Sequence, residues 1–84
     1  MSRAIDKLRK ILIELNFSAS AKTVSEDSDL FETGAIDSLT LIQYVLAIED
    51  EFKIRIENSD ITYENFKTFN TLSQFIEKKY LKTA

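Results

Sequence analysis

One serine in this chain stands where a hydroxyl could be acted upon. Ser38 follows Asp37, and that pair begins three residues after Gly34, the only glycine among 84 residues. A run rich in apolar residues, Leu39 to Phe52, comes next. Asp and Ser are favoured at helix N-termini because a short side-chain oxygen can accept from a backbone N–H that the helix leaves unpaired. A lone glycine just ahead suits a sharp loop with positive φ. The stretch Gly34-Ala35-Ile36-Asp37-Ser38-Leu39 therefore reads as a tight loop delivering a hydroxyl to the mouth of a helix, with Ser38 as the candidate for covalent modification. Other chemistry is poorly supplied. The chain has no cysteine and no histidine, so disulfides, thiolates and imidazole bases are unavailable. It has no glycine-rich phosphate loop, and the acidic residues of 26–32 lack the spacing and glycine of a calcium loop. Neither catalysis by the chain itself nor a metal site is expected.

The elements that must position Ser38 follow from periodicity. The length suits a single domain, 1–84, with one modest core. Ser2 can cap a first helix at about 3–16, where Ile5, Leu8, Ile11, Leu12 and Leu15 recur at helical steps. Phe17 is expected to anchor its end. Residues 18–33 carry Ser18, Ser20, Ser25, Ser28, Asp27 and Asp29, which favour local side-chain-to-backbone bonds over helix. A long loop is expected there, anchored by Val24, Leu30 and Phe31. The second helix should run from about Ser38 to Lys53. Leu41, Val45, Ile48 and Phe52 form one face, and Leu39, Ile42, Leu46 and Tyr44 widen it to about twice the ~100° that packing on one core requires. Such a helix is either central to the domain or leaves part of its apolar side for a partner. Ile42 and Leu46 are expected to pack centrally and Leu39 to be partly exposed. Leu39, Thr40, Ile42, Gln43, Leu46 and Asp50 make up the candidate partner face. Phe52-Lys53-Ile54-Arg55-Ile56 alternates like a strand but has no second strand to pair with, so it reads as an extended connection with Ile54 and Ile56 inward. Ser59 or Asp60 can cap a short helix at about 61–66. Thr71 with Gln74 matches a capping box ahead of Leu72, Phe75, Ile76 and Tyr80, while Lys78, Lys79 and Lys82 suit the helix C-terminus. The sum is an all-α fold, a small four-helix bundle of three main helices and one short one.

The net charge of −3 is unevenly spread. Residues 1–24 and 67–84 each carry +3, and residues 25–66 carry −9. An acidic middle repels nucleic acid and attracts basic partners. No run suggests a signal peptide or membrane span, so a cytoplasmic chain without membrane insertion is expected.

The stretch LFETGAIDSLTLIQYVLAIEDEFKIRI resembles the heart of the acyl carrier protein family. The likeness lies in Asp37-Ser38-Leu39, in the helix ending Ala47-Ile48-Glu49-Asp50-Glu51-Phe52, and in Thr71-Leu72 followed by Phe75-Ile76. The resemblance implies a four-helix fold in which Ser38 receives a 4′-phosphopantetheine arm from coenzyme A through a separate phosphopantetheinyl transferase. The arm's thiol then holds an acyl or aminoacyl group as a thioester. By the same resemblance Asp37 neighbours the attachment point and meets the transferase, Leu39 is the apolar contact beside the arm, Gly34 shapes the loop, and the second helix is the recognition helix. The absence of cysteine and histidine agrees with this, since the reactive sulfur comes with the cofactor and the chemistry belongs to partner enzymes.

Thr40 and Gln43 stand where carriers of primary fatty acid synthesis typically have acidic residues. Gly-Ala-Ile-Asp-Ser-Leu, with Phe31 three residues before the glycine, looks more like free-standing carriers of specialised pathways, including D-alanyl and aminoacyl carriers. The segment Ile61-Thr62-Tyr63-Glu64-Asn65-Phe66, with Asn70-Thr71-Leu72, is similar to aminoacyl carriers. The expected partners are an adenylating ligase or acyltransferase that loads the arm and downstream biosynthetic enzymes, visited by a monomer. The alternative is a cofactor-free helical interaction module with an acidic recognition face. A nucleic-acid-binding helix-turn-helix conflicts with the −9 middle.

Overall fold

The computed structural model of the chain describes residues 4–15 and 20–81. Ser2, Phe17, Ser18 and Lys82, to which the sequence assigns a cap, an anchor, a loop position and a terminal charge, lie outside the described residues. Helix α1, Ala4–Leu15, buries Ala4, Ile5, Leu8, Ile11 and Leu12, the face its periodicity predicts. A single helical turn, α2, Ser20–Thr23, occupies the segment expected to be loop throughout. Helix α3 runs Ser38–Phe52. A 3₁₀ turn, Asn58–Asp60, precedes the one-turn helix α4, Tyr63–Phe66. Helix α5, Phe69–Ile76, continues into a wider π-type turn, Glu77–Leu81. Three longer helices with short α4 match the bundle expected, and no strand forms among the described residues.

The caps correct two sequence readings. The short helix is capped by Thr62, whose hydroxyl accepts the Asn65 N–H at 3.2 Å, and not by Ser59 or Asp60. Asp60 instead closes the 3₁₀ turn and receives the Tyr80 hydroxyl at 3.0 Å and the Lys79 ammonium. The last helix is capped by Thr68, which accepts the Thr71 N–H at 2.9 Å. The Thr71–Gln74 capping box is therefore not used. Starting at Thr68 places Phe69, Leu72 and Ile76 on one face, and all three are fully buried. The gain from burying Phe69 decides between two locally acceptable caps.

α3 ends at Lys53 in the left-handed region, φ 59° and ψ 46°, where glycine is the usual occupant. Glu49 closes this end. Its carbonyl accepts the N–H of Ile54 at 3.1 Å and its carboxylate accepts the N–H of Ile56 at 2.7 Å. The following connection thus turns back with Ile56 buried and Ile54 partly so, as its alternation predicts.

The core is built where α1 meets α3 and α5. Leu8, Leu12, Tyr44, Ile48, Phe66, Phe69, Leu72 and Ile76 are among its fully buried members. Tyr44 crosses it and donates its hydroxyl to the Leu8 carbonyl at 2.8 Å. Burial pushes the Tyr44 phenol well above its ordinary pKa, which keeps the donor proton in place. Arg9 extends from α1 to the Val24 carbonyl at 2.8 Å and lies 4.8 Å from the centre of the Phe69 ring. That contact holds the long loop against the bundle.

The buried side of α3 centres on Tyr44 and Ile48. Leu39, Ile42 and Leu46 sit roughly 120–180° round the helix from Ile48. Ile42 and Leu46 are each 61% exposed, which overturns their expected central packing. Full burial of Tyr44 rotates α3 so that α1 covers the tyrosine side and the other flank of the apolar arc faces water.

Tyr44→Phe removes one buried hydrogen bond at little change of shape. It is expected to lower stability by about 1 kcal/mol and the melting temperature by about 4–8 °C, read by circular dichroism on heating.

Candidate functional site

The site is assembled by a loop that folds on itself before α3 begins. Asp29 opens it. One carboxylate oxygen accepts the N–H groups of Phe31 at 2.9 Å and Glu32 at 3.0 Å, the side-chain-to-backbone bonding that Asp favours. The other oxygen accepts the Tyr63 hydroxyl. That hydroxyl, ahead of the Glu32 and Phe31 N–H groups, holds the Asp29 carboxyl below the usual carboxylate range. In return the Tyr63 phenol is pushed up to about 12. Leu30 comes next, fully buried. Its N–H donates to the Lys67 carbonyl at 2.6 Å, and its own carbonyl accepts the Ile36 N–H at 3.0 Å and the Thr33 hydroxyl at 3.2 Å. Phe31 packs against Tyr63 with ring centres 5.3 Å apart. Gly34 reverses the chain at φ +83°, a conformation that costs glycine little. Open space surrounds the position of a Cβ there, so backbone conformation, not crowding, favours glycine. Ala35 and Ile36 then plunge into the core.

Asp37 is the N-cap of α3. It is extended at φ −123° and ψ −176°, and its carboxylate accepts the Thr40 N–H at 2.8 Å. The Thr40 N–H is the main reason its pKa lies below the ordinary carboxylate value. Ser38 is the first residue of the helix and is exposed. A group attached to its hydroxyl would project from the positive end of the α3 dipole. This end has room for a phosphodiester, since both Ser38 and Gly34 are open to solvent, and the positive end of the helix offsets its charge.

From Ser38 an uncharged stretch runs to Ile48. Leu39, 70% exposed, leads Ile42 and Leu46 along one stripe. Gln43 and Asp50 are exposed on the same side of α3, and Thr40 is half-buried at its edge. All the predicted partner residues but Thr40 thus share one face beginning next to Ser38. Beside that face an open groove of about 620 Å³ lies between α3 and the 55–61 segment, floored by Ile42, Leu46, Ile56 and Ile61. The contributions of Asp29, Tyr63 and the Lys67 carbonyl escaped sequence reasoning. Their contacts span 34 and 37 residues, beyond any local spacing signal.

The site thus consists of an exposed hydroxyl at the start of α3, beside an uncovered apolar stripe. The family model described as the phosphopantetheine attachment site matches residues 6–76. An acyl carrier protein of Onion yellows phytoplasma is 36% identical over 69 residues, covering 82% of this chain and 88% of that protein. A D-alanyl carrier protein of Lactobacillus delbrueckii subsp. bulgaricus is 26% identical over 73 residues, covering 84% and 91%. In three dimensions the chain is similar to one in the crystal structure of Bradyrhizobium japonicum glycine:[carrier protein] ligase complexed with glycylated carrier protein. The TM-score is 0.72 at 28% identity, with 83% of this chain and 93% of that chain covered. This chain belongs to the phosphopantetheine-attachment family of carrier proteins, whose domain bears a covalently attached 4′-phosphopantetheine and which carry acyl groups without catalysing reactions themselves. No helix among the described residues is long and apolar enough to cross a membrane.

Folding lowers the Asp37 pKa, so its carboxylate favours the folded state above its unfolded value of about 3.9 and loses that effect as acid protonates it. Asp37→Ala is expected to lower the melting temperature by about 5 °C at pH 7, and the gap to the unsubstituted chain should narrow below about pH 4. Parallel thermal melts at the two pH values check this.

Proposed function

We infer that Ser38 is the serine to which 4′-phosphopantetheine is attached, and that the arm carries an aminoacyl or other specialised acyl group as a thioester. The observation that supports this most is the placement of an exposed Ser38 as the first residue of α3, inside the span matched by the family model. Transfer to the Ser38 oxygen forms one P–O bond and breaks the pyrophosphate P–O bond of coenzyme A, so that adenosine 3′,5′-bisphosphate leaves and the transferase takes up the serine proton. Asp37 fixes the first turn of α3, and Gly34 provides the positive φ that lets the chain turn before the cap. The whole chain, 1–84, is read as one carrier domain working as a monomer in the cytoplasm.

The uncharged start of α3 favours an amino acid ligase as the loading partner. Thr40 and Gln43 offer no negative charge to a basic docking patch, whereas Leu39, Ile42 and Leu46 offer apolar area beside the arm. The names of the similar D-alanyl carrier and of the glycylated carrier with its ligase support the same class of cargo. The loading enzyme activates the acid by adenylation and hands it to the arm thiol, and downstream biosynthetic enzymes then take it.

Incubation with coenzyme A and a broad-specificity phosphopantetheinyl transferase should add the mass of one phosphopantetheine, and Ser38→Ala should add none. No gain by the folded unsubstituted chain would instead assign a cofactor-free interaction module. Ile42→Glu and Leu46→Glu replace exposed side chains. Each should leave the melting temperature within about 2 °C while cutting ligase loading of the holo chain roughly tenfold. Loading at the unsubstituted rate would separate this face from the ligase.

A further inference from the structure

Two of the bonds that fasten the loop presenting Ser38 to the bundle lie on the α4 side. Leu30 is held by the Lys67 carbonyl, at 2.6 Å, and Asp29 by the Tyr63 hydroxyl. The first is a main-chain bond that any sequence can form. The second depends on two side chains. Tyr63 is 51% exposed, its ring contacts Phe31 and its hydroxyl meets the Asp29 carboxylate. Its ring contributes little to the core, so its contacts are directed at the loop. Asp29 converts that attachment into loop shape. The same carboxylate that receives Tyr63 also gathers the Phe31 and Glu32 N–H groups. The turn so formed leads through the Thr33 N–H on the Asp29 carbonyl, at 3.0 Å, and the Gly34 N–H on the Phe31 carbonyl, at 3.3 Å. Three residues separate Gly34 from Ser38.

We propose that Asp29 and Tyr63 form a clasp that positions the Ser38 loop for its modifying transferase, making both residues positioning residues for that reaction. The inference rests on Ser38 being the attachment serine. The clasp touches neither Ser38 nor Asp37. It acts by keeping the loop in the conformation the transferase recognises. When only a fraction of a protein is in the competent state, its apparent affinity falls by that fraction while the bound complex reacts normally. Opening the clasp therefore raises KM for the carrier and spares kcat.

The test uses the full apo chain, coenzyme A and a broad-specificity phosphopantetheinyl transferase, with initial rates read by intact mass over a range of carrier concentrations. Tyr63→Phe keeps the ring on Phe31 and removes only the hydroxyl. It should raise KM about fivefold with kcat within about twofold. Asp29→Ala should do at least as much, and adding Tyr63→Phe to it should change nothing further, because the two act as one unit. Asp29→Asn should stay within about twofold of the unsubstituted chain, since its carbonyl oxygen still accepts the two N–H groups and its amide can donate to the Tyr63 oxygen. Hydrogen exchange at the Phe31, Glu32 and Ile36 amides should quicken in Tyr63→Phe by more than KM rises, because exchange follows the ratio of open to closed loop and KM follows the closed fraction. A raised KM with unchanged exchange would mean that Tyr63 meets the transferase directly, and would overturn the clasp. An unchanged KM in Tyr63→Phe overturns it while leaving Ser38 as the attachment site. An unmodified wild-type chain removes both.

Discussion

The burial of Leu30, with both of its main-chain groups paired, is the constraint on which the presentation of Ser38 depends. A loop that crosses a small core must hide its backbone N–H and C=O from water without leaving them unbonded. Leu30 does this by donating to Lys67 and accepting from Ile36 and Thr33. Its side chain meanwhile fills the interior completely. These bonds close residues 30–36 into a unit, so the loop arrives at Asp37 with its direction fixed. The helix cap then needs only one further bond, from the Thr40 N–H to the Asp37 carboxylate. Core packing, loop closure and the exposure of one hydroxyl are thus successive consequences of a single leucine being pinned.

α3 carries the second tension in the design. Its apolar arc is wider than the core can cover, and Tyr44 decides which part is hidden. A fully buried phenol needs a partner, and the Leu8 carbonyl supplies it at 2.8 Å. With Tyr44 committed to α1, the Leu39, Ile42 and Leu46 stripe is left in water. Large apolar side chains kept exposed together are characteristic of surfaces that meet partners. Here the stripe begins beside Ser38, so whatever docks on it would lie within reach of that hydroxyl.

The periodic helices were legible from sequence because their signal is local. The burial of Ile5, Leu8, Ile11 and Leu12 on α1, the Asp37 cap and the positive φ at Gly34 all follow from spacing and residue type. The side of α3 that would be covered was not legible, because apolar content alone cannot distinguish Tyr44 from Ile42 as the centre of the buried face. The true start of α5 was hidden for a similar reason. Thr68 and Thr71 are both sound caps by local rules, and the burial of Phe69 chooses between them. The Asp29–Tyr63 contact belongs to a third kind, a tertiary pairing between residues whose local roles, turn and short helix, each look sufficient alone.

The most direct test of the account is to locate the added group by fragmenting the proteolysed, transferase-treated chain. Phosphopantetheine is expected on the peptide containing Asp37-Ser38 and on its serine alone. The same mass found on any of the other seven serines, or spread over several of them, would contradict it.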